Sequence, residues 1–288
     1  MRHTLILLGT WIFTLVAHAE DFRVLSFNIR YANPKDGADR WENRRDVVAK
    51  LIREEADVAG LQEVLPEQRA EIAERCAEFS VIGVGREMED KGEGSPVLFR
   101  KDRFEAVASG TFWLSDTPDA PGSHTWGNTL PRLCTWAKLR DAKSGAAFFF
   151  FNTHLDHESQ PSRERALALI AQRMQARDGA EPVVLAGDFN IGENNPAFAA
   201  LASAEGKAGG VLPMLSAYKI ASVPAEGTFH AFTGKPQSSA IDFIFLEHDR
   251  WKLRGLAVLK TTYPGIDGTA RYVSDHFPIR AVITPVRD

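Results

Sequence analysis

Cysteine is nearly absent: Cys76 and Cys134 are the only two in 288 residues. So few thiols exclude a disulfide-stapled scaffold. Cys76 falls in a helix-like stretch, Pro66 to Glu78, and Cys134 in a strand-like one. The sequence leaves open whether they pair. An excess of charge of one sign is also lacking, with 34 Lys and Arg against 38 Asp and Glu and a formal charge of −4. That excludes a protein that coats nucleic acid by charge alone. The basic residues are scattered: Arg40, Arg44, Arg45 and Lys50 in one stretch, Arg163, Arg165, Arg173 and Arg177 in another. Such sets are the usual pattern of solvated helix faces. Glycine and proline, at 22 and 15, are too few for a collagenous or low-complexity chain. There is no internal repeat and no Pro/Gly/Ser-rich linker. Beyond the first nineteen residues, no apolar run is long enough to cross a bilayer.

What is present begins with a leader. Arg2 and His3 precede an uncharged apolar run from Leu5 to Val16, and Ala17-His18-Ala19 stands before Glu20. A basic start, a short apolar run and a small-x-small site are the layout of a secretory signal peptide. Residues 1–19 are therefore read as a signal peptide and 20–288 as one exported domain, periplasmic or secreted. No membrane-spanning segment is expected after cleavage, and the mature chain is expected to be a monomer.

The full 288-residue chain is 44% hydrophobic, ample for a packed core. Alternation predicts a strand over Phe22–Ile29, and short apolar runs predict strands over Val58–Val64, Ser80–Gly85, Ser95–Arg100, Phe104–Leu114, Leu133–Leu139, Ala146–Asn152, Pro182–Gly187, Ala240–Leu246, Gly255–Thr261 and Phe277–Thr284. Helical spacing predicts helices over Trp41–Ala56, Ser162–Arg177 and, more briefly, Pro196–Ala204. Many strands with two or three helices point to two packed sheets covered by helices.

The polar residues that end these strands carry the information. Asn28 ends the first, Glu63 the second, and Asn152, His154 and Asp156 follow a run of four phenylalanines. Asp188 and Asn190 end an all-apolar strand, Asp242 opens another, and Asp275 and His276 precede the last. One such residue is usually a turn or a cap. Six endings rich in amide, carboxylate and imidazole, with no thiol, point to one site on the rim of a sheet.

The ordered set SFN, LQEV, NTHLDH, GDFN, IDFIF and SDH resembles the endonuclease/exonuclease/phosphatase superfamily, from Asn28 to His276. The resemblance implies an α/β (α+β) fold, a four-layer sandwich of two mostly antiparallel sheets flanked by helices. It implies a metal-dependent phosphoester hydrolase. Glu63 resembles the principal metal ligand, with Asn28 and Asp275 as companions. These oxygen donors suit Mg²⁺ or Mn²⁺, with Ca²⁺ a further candidate. His276 and Asp242 resemble a base pair in which the carboxylate fixes the ring's tautomer. The pair acts on water or supports the scissile phosphate. Asp188 is expected to orient or deprotonate the attacking water and Asn190 to donate to phosphate, the two facing one way as i and i+2 of an extended segment. His154 resembles a phosphoryl contact, and Asp156 is a candidate for metal or substrate.

Arg132 stands where the family often has a basic residue. It is a candidate phosphate contact, with a surface salt bridge as the competing assignment. Trp113, Trp126 and His230 are candidates for a platform under a base or sugar, with core packing competing for the tryptophans. The run Gly92 to Phe99 departs from the family, with Gly94 at an aromatic position and Ser95 after it. That departure leaves room for a bulkier substrate. The expected substrate is an anionic phosphoester, with nucleic acid among the candidates. A phosphodiester is placed first and a sugar or inositol phosphomonoester second. A catalytically silent binding protein of the same fold is the reading from another class.

Overall fold

The computed structural model describes residues 20–202, 212–265 and 267–286. The expected signal peptide, and the last two residues of the helix expected over Pro196–Ala204, lie outside the described residues. The strands are β1 (Phe22–Asn28), β2 (Val58–Gln62), β3 (Phe79–Ile82), β4 (Val97–Arg100), β5 (Phe104–Trp113), β6 (Leu133–Asp141), β7 (Ala147–His154), β8 (Val183–Asp188), β9 (Met214–Ser216), β10 (Asp242–Glu247), β11 (Trp251–Val258), β12 (Thr262–Pro264), β13 (Ala270–Tyr272) and β14 (Ile279–Pro285). The helices are α1 (Trp41–Glu55), α2 (Pro66–Arg75), α3 (Gln160–Gln175), α4 (Ala199–Ala202) and α5 (Ala217–Ala221). One sheet runs β11-β14-β1-β2-β4-β3 and the other β5-β6-β7-β8-β10-β9, with β12 and β13 a separate ribbon. The sheets pack face to face, with α1 and α2 outside the first and α3 and α4 outside the second. This is the expected four-layer α/β sandwich.

Each sheet holds one parallel pair, β1 with β2 and β7 with β8, and every other pairing in it is antiparallel. Parallel neighbours need a crossover, supplied here by α1 and α3. The C-terminal ends of four central strands thus reach the same rim. The opposite end is pinned by an aromatic cluster, where the Phe22 and Phe148 rings stack 5.1 Å apart and Trp251 meets both edge-on. Phe149 and Phe151 alternate to the other face beside Trp136, which explains the run of four phenylalanines.

Between the sheets runs a polar seam. Asn152 donates to the carbonyls of Leu61 and Pro96 at 2.8 and 2.9 Å and accepts from Gln62 at 2.7 Å. Gly60 makes this approach feasible, because a Cβ there would lie 2.6 Å from the Asn152 side chain. Asn152 therefore serves the seam, not the rim. The helix α3 starts earlier than expected, because Ser159 caps it by accepting from the Ser162 amide. The strand expected over Gly255–Thr261 begins at Trp251, with a register shift between Leu253 and Gly255 that breaks the alternation. Cys76 and Cys134 are buried free thiols in different hydrophobic clusters, so no disulfide joins them.

Candidate active site

The rim formed by the ends of β1, β2, β7 and β8 and the starts of β10 and β14 encloses a cleft of about 400 Å³. Two backbone features aim its residues. Glu63 follows β2 at φ 60° and Asn190 follows β8 at φ 54°, left-handed values that few non-glycine residues adopt. Such strain persists where the surroundings over-determine it. Asn190 therefore does not share a face with Asp188 through strand alternation. The chain turns, the Asn190 amide donates to Asp188 Oδ1 at 3.0 Å, and the Asn190 side chain swings toward His154.

The polar groups connect in sequence. Asn28 Nδ2 donates to Glu63 Oε1 and to Asp188 Oδ2, both at 3.0 Å. Its oxygen accepts from the Arg30 amide, so ligating a metal through that oxygen requires the amide to turn over. Glu63 Oε2 accepts from the Tyr31 amide at 3.1 Å. His276 Nδ1 lies 2.9 Å from Asp242 Oδ2, and its Nε2 lies 3.8 Å from Asp188 Oδ2. Ser274 Oγ donates to the Asn28 carbonyl at 2.7 Å and lies 3.2 Å from Asp275, tying the last motif to the first.

Burial and neighbouring charge set the protonation. Burial opposes the charged form of His276, but Asp242, Asp188 and Asp275 together hold its pKa well above the usual value. Burial and the Asp242 charge push the Asp188 carboxyl up to about 7. Burial, with Glu63 adding to it, also raises Asp275. His154 goes the other way: burial, Arg132 and Arg86 drive it well below its ordinary value, leaving a neutral ring. Its Nε2 accepts from Asn190 Nδ2 at 3.0 Å.

Four of the expected substrate contacts fall elsewhere. Trp126 packs away from the cleft beside α3, and its indole N–H is taken by Asp116 at 2.8 Å. His230 is fully buried, stacked 3.9 Å from Phe277, and its Nδ1 accepts from the Gly234 amide. Neither lines the cleft: the Trp126 indole is held by Asp116 at the surface, and the His230 ring is held in the interior. Trp113 is buried too and donates to the Arg86 carbonyl at 2.6 Å. Asp156 is turned from the cleft, its Oδ1 accepting from the Glu158 and Ser159 amides before α3. Its Oδ2 lies 3.6 Å from Arg132. Arg132 does line the cleft, only 4% exposed, and donates to His157 Nδ1 at 3.0 Å.

The sequence reading missed Arg30, Arg86 and His157, which also line the cleft. Arg30 pairs with Asp36 and Arg86 with Glu93. Arg30 and His157 sit beside singled-out residues, within reach of the motif argument. Arg86 follows the strand expected over Ser80–Gly85 but belongs to none of the motifs.

Of the four cleft carboxylates Glu93 is taken by Arg86, and the other three, Glu63, Asp188 and Asp275, form an oxygen-rich set suited to a hard divalent cation. Asp188, Asp242 and His276 also place ligand atoms within 4.8 Å of one another. There, however, Asp242 and His276 already satisfy each other by a hydrogen bond.

A family profile described as Endonuclease/Exonuclease/phosphatase family matches residues 25–276. The chain belongs to the endonuclease/exonuclease/phosphatase family. Its members are phosphoester hydrolases that depend on a divalent cation. Among solved structures, a family protein from Bacteroides thetaiotaomicron is 32% identical with a TM-score of 0.84, covering 93% of this chain and 98% of that one. A mannosyl-6-phosphatase from the same organism is 32% identical with a TM-score of 0.82, covering 91% and 99%. Tyrosyl-DNA phosphodiesterase 2 of Mus musculus is 28% identical over 174 residues, covering 60% of this chain and 42% of that one. The chain spans less than two thirds of the length of the curated relatives it matches.

Proposed function

We propose that this cleft hydrolyses a small phosphomonoester outside the cytoplasm. The observation that carries the reading is the juxtaposition, in one enclosed cleft, of acidic oxygen donors with the guanidinium groups of Arg86 and Arg132 and the imidazole of His276. Glu63 and Asp275 would hold the divalent cation. When bound, that cation supplies Lewis-acid polarisation of the phosphoryl group and offsets its charge. Asp188, with its carboxyl near 7, accepts the proton of the attacking water. Of the two roles left to the His276–Asp242 pair, support of the phosphate fits the charged ring, which donates from Nε2 toward a phosphoryl oxygen. Neutral His154 positions Asn190. Arg132, buried and lacking a carboxylate within hydrogen-bond distance, is placed to meet the phosphate.

The sequence placed a phosphodiester first. A cleft of about 400 Å³ and the likeness to a mannosyl-6-phosphatase favour a sugar monoester. The likeness to tyrosyl-DNA phosphodiesterase 2 keeps a diester as the second reading. The signal peptide read in residues 1–19 supports export. A panel of hexose phosphates, inositol phosphates, sphingomyelin, oligonucleotides and bis(p-nitrophenyl) phosphate, assayed with Mn²⁺, tests the choice. Hexose phosphate is expected to have the highest kcat/KM, and preference for a diester overturns the monoester reading.

A further inference from the structure

The cleft does not end at Arg86 and Arg132. The segments that carry them, Arg86–Lys91 and Leu130–Arg132, continue outward and line an adjoining groove of about 550 Å³, with Leu130 shared by both. The first segment is a built hairpin. The Arg86 and Glu87 amides donate to the carbonyls of Glu93 and Lys91 at 3.0 and 2.9 Å, and the Lys91 amide donates to Met88. Glu89 and Asp90 sit at φ 58° and 61°, the left-handed values of a primed hairpin turn. Asp90 locks the turn from behind, accepting from the Gly85 amide at 2.6 Å and pairing with Arg69. A rigid loop therefore holds out Met88, whose side chain is 68% exposed. Met88, with Pro121 and Leu130, gives the groove an apolar wall.

The arginines stop where the groove begins. The cleft sets Arg30, Arg86 and Arg132 among its carboxylates, whereas the groove has no arginine and presents Glu87 and Glu89 beside Lys91 and His124. Its one ammonium, Lys91, is held by Glu89 at 2.5 Å. A second phosphate entering the groove meets like charge. An uncharged hydroxyl chain meets carboxylate acceptors beside the apolar faces of Met88, Pro121 and Leu130.

We propose that this groove is the leaving-group subsite, and that it selects phosphoesters whose leaving group is an uncharged polyhydroxyl chain, an oligosaccharide, over a polyanionic strand. The inference rests on the phosphoesterase reading of the cleft and names what lies beyond its phosphate. The test compares kcat/KM for hexose 6-phosphate, a disaccharide 6-phosphate and a 5′-phosphorylated oligonucleotide. It also follows the ¹³C-methyl signal of Met88 during titration with each, a readout independent of turnover. The expected result is a disaccharide phosphate preferred over hexose phosphate by at least about tenfold, with the Met88 methyl shifting only for the longer sugar. In the Met88→Asp variant, and in Glu87→Lys/Glu89→Lys, that ratio is expected to fall to about threefold or less, the double variant also gaining on the oligonucleotide. Equal rates for the two sugars, or an unmoved Met88 signal, overturn the subsite. A shifted signal with no hydrolysis of any ester instead overturns the catalytic reading and leaves the subsite standing.

Discussion

Asp188 is pulled in opposite directions. Burial and the nearby Asp242 disfavour its charge, while His276, Asn28 and the Asn190 amide favour it. Its carboxyl lands near 7, where a carboxylate is useful as a base at neutral pH. His276 is the complement, a buried ring kept charged by three acids. These are the two residues whose loss should be felt in the chemical step. His276→Ala and Asp188→Ala are each expected to lower kcat by at least about a hundredfold with the far-UV circular dichroism unchanged. Near-normal kcat in either folded variant removes that residue from the mechanism. Both were legible in the sequence because a family motif carried them. The orientation of Asn190 was not, because a single left-handed φ undid the strand rule that was applied to it.

Secondary elements were legible in proportion to their length. The seven residues of β1, buried on both faces, and the fifteen of α1, buried on one, have bounds that agree with the sequence to within a residue. The strands β9, β12 and β13 have three residues each, too few for any period to register. Long-range ties between elements were likewise invisible. Asp57, in the turn before β2, accepts from the Arg23 backbone and guanidinium on β1 and lies 3.3 Å from Arg100 on β4. Burial opposes its charge, but Arg23 outweighs burial and holds the carboxyl below its usual range. A depressed folded-state pKa gives stability that is present above the unfolded value, about 4, and is lost as pH falls through the folded one. Asp57→Asn is therefore expected to lower unfolding free energy by about 1–3 kcal/mol at pH 7. The gap from wild type should close below about pH 4, as read by urea titration at several pH values. A gap independent of pH would contradict the ion-pair account.

At the scale of the whole molecule, topology accounts for the site. Two parallel pairs, each closed by one helix, send four strand ends to one rim, and two antiparallel neighbours bring Asp242 and His276 to meet them. Ordered motifs along the whole chain gave the rim's membership. They could not give its sorting, in which Asp156 and His230 support the scaffold while Arg30 and Arg86 face the cleft. The near-neutral net charge also gains a location, because opposite charges are concentrated in one cleft. The central claim is that this cleft is a cation-dependent phosphoesterase. The most direct measurement is the rate of p-nitrophenyl phosphate hydrolysis by purified protein before EDTA treatment, after it, and after Mn²⁺ or Mg²⁺ is restored. Activity that EDTA abolishes and the metal restores is the predicted result. Hydrolysis indifferent to EDTA, or no hydrolysis of any phosphoester with metal present, would contradict it.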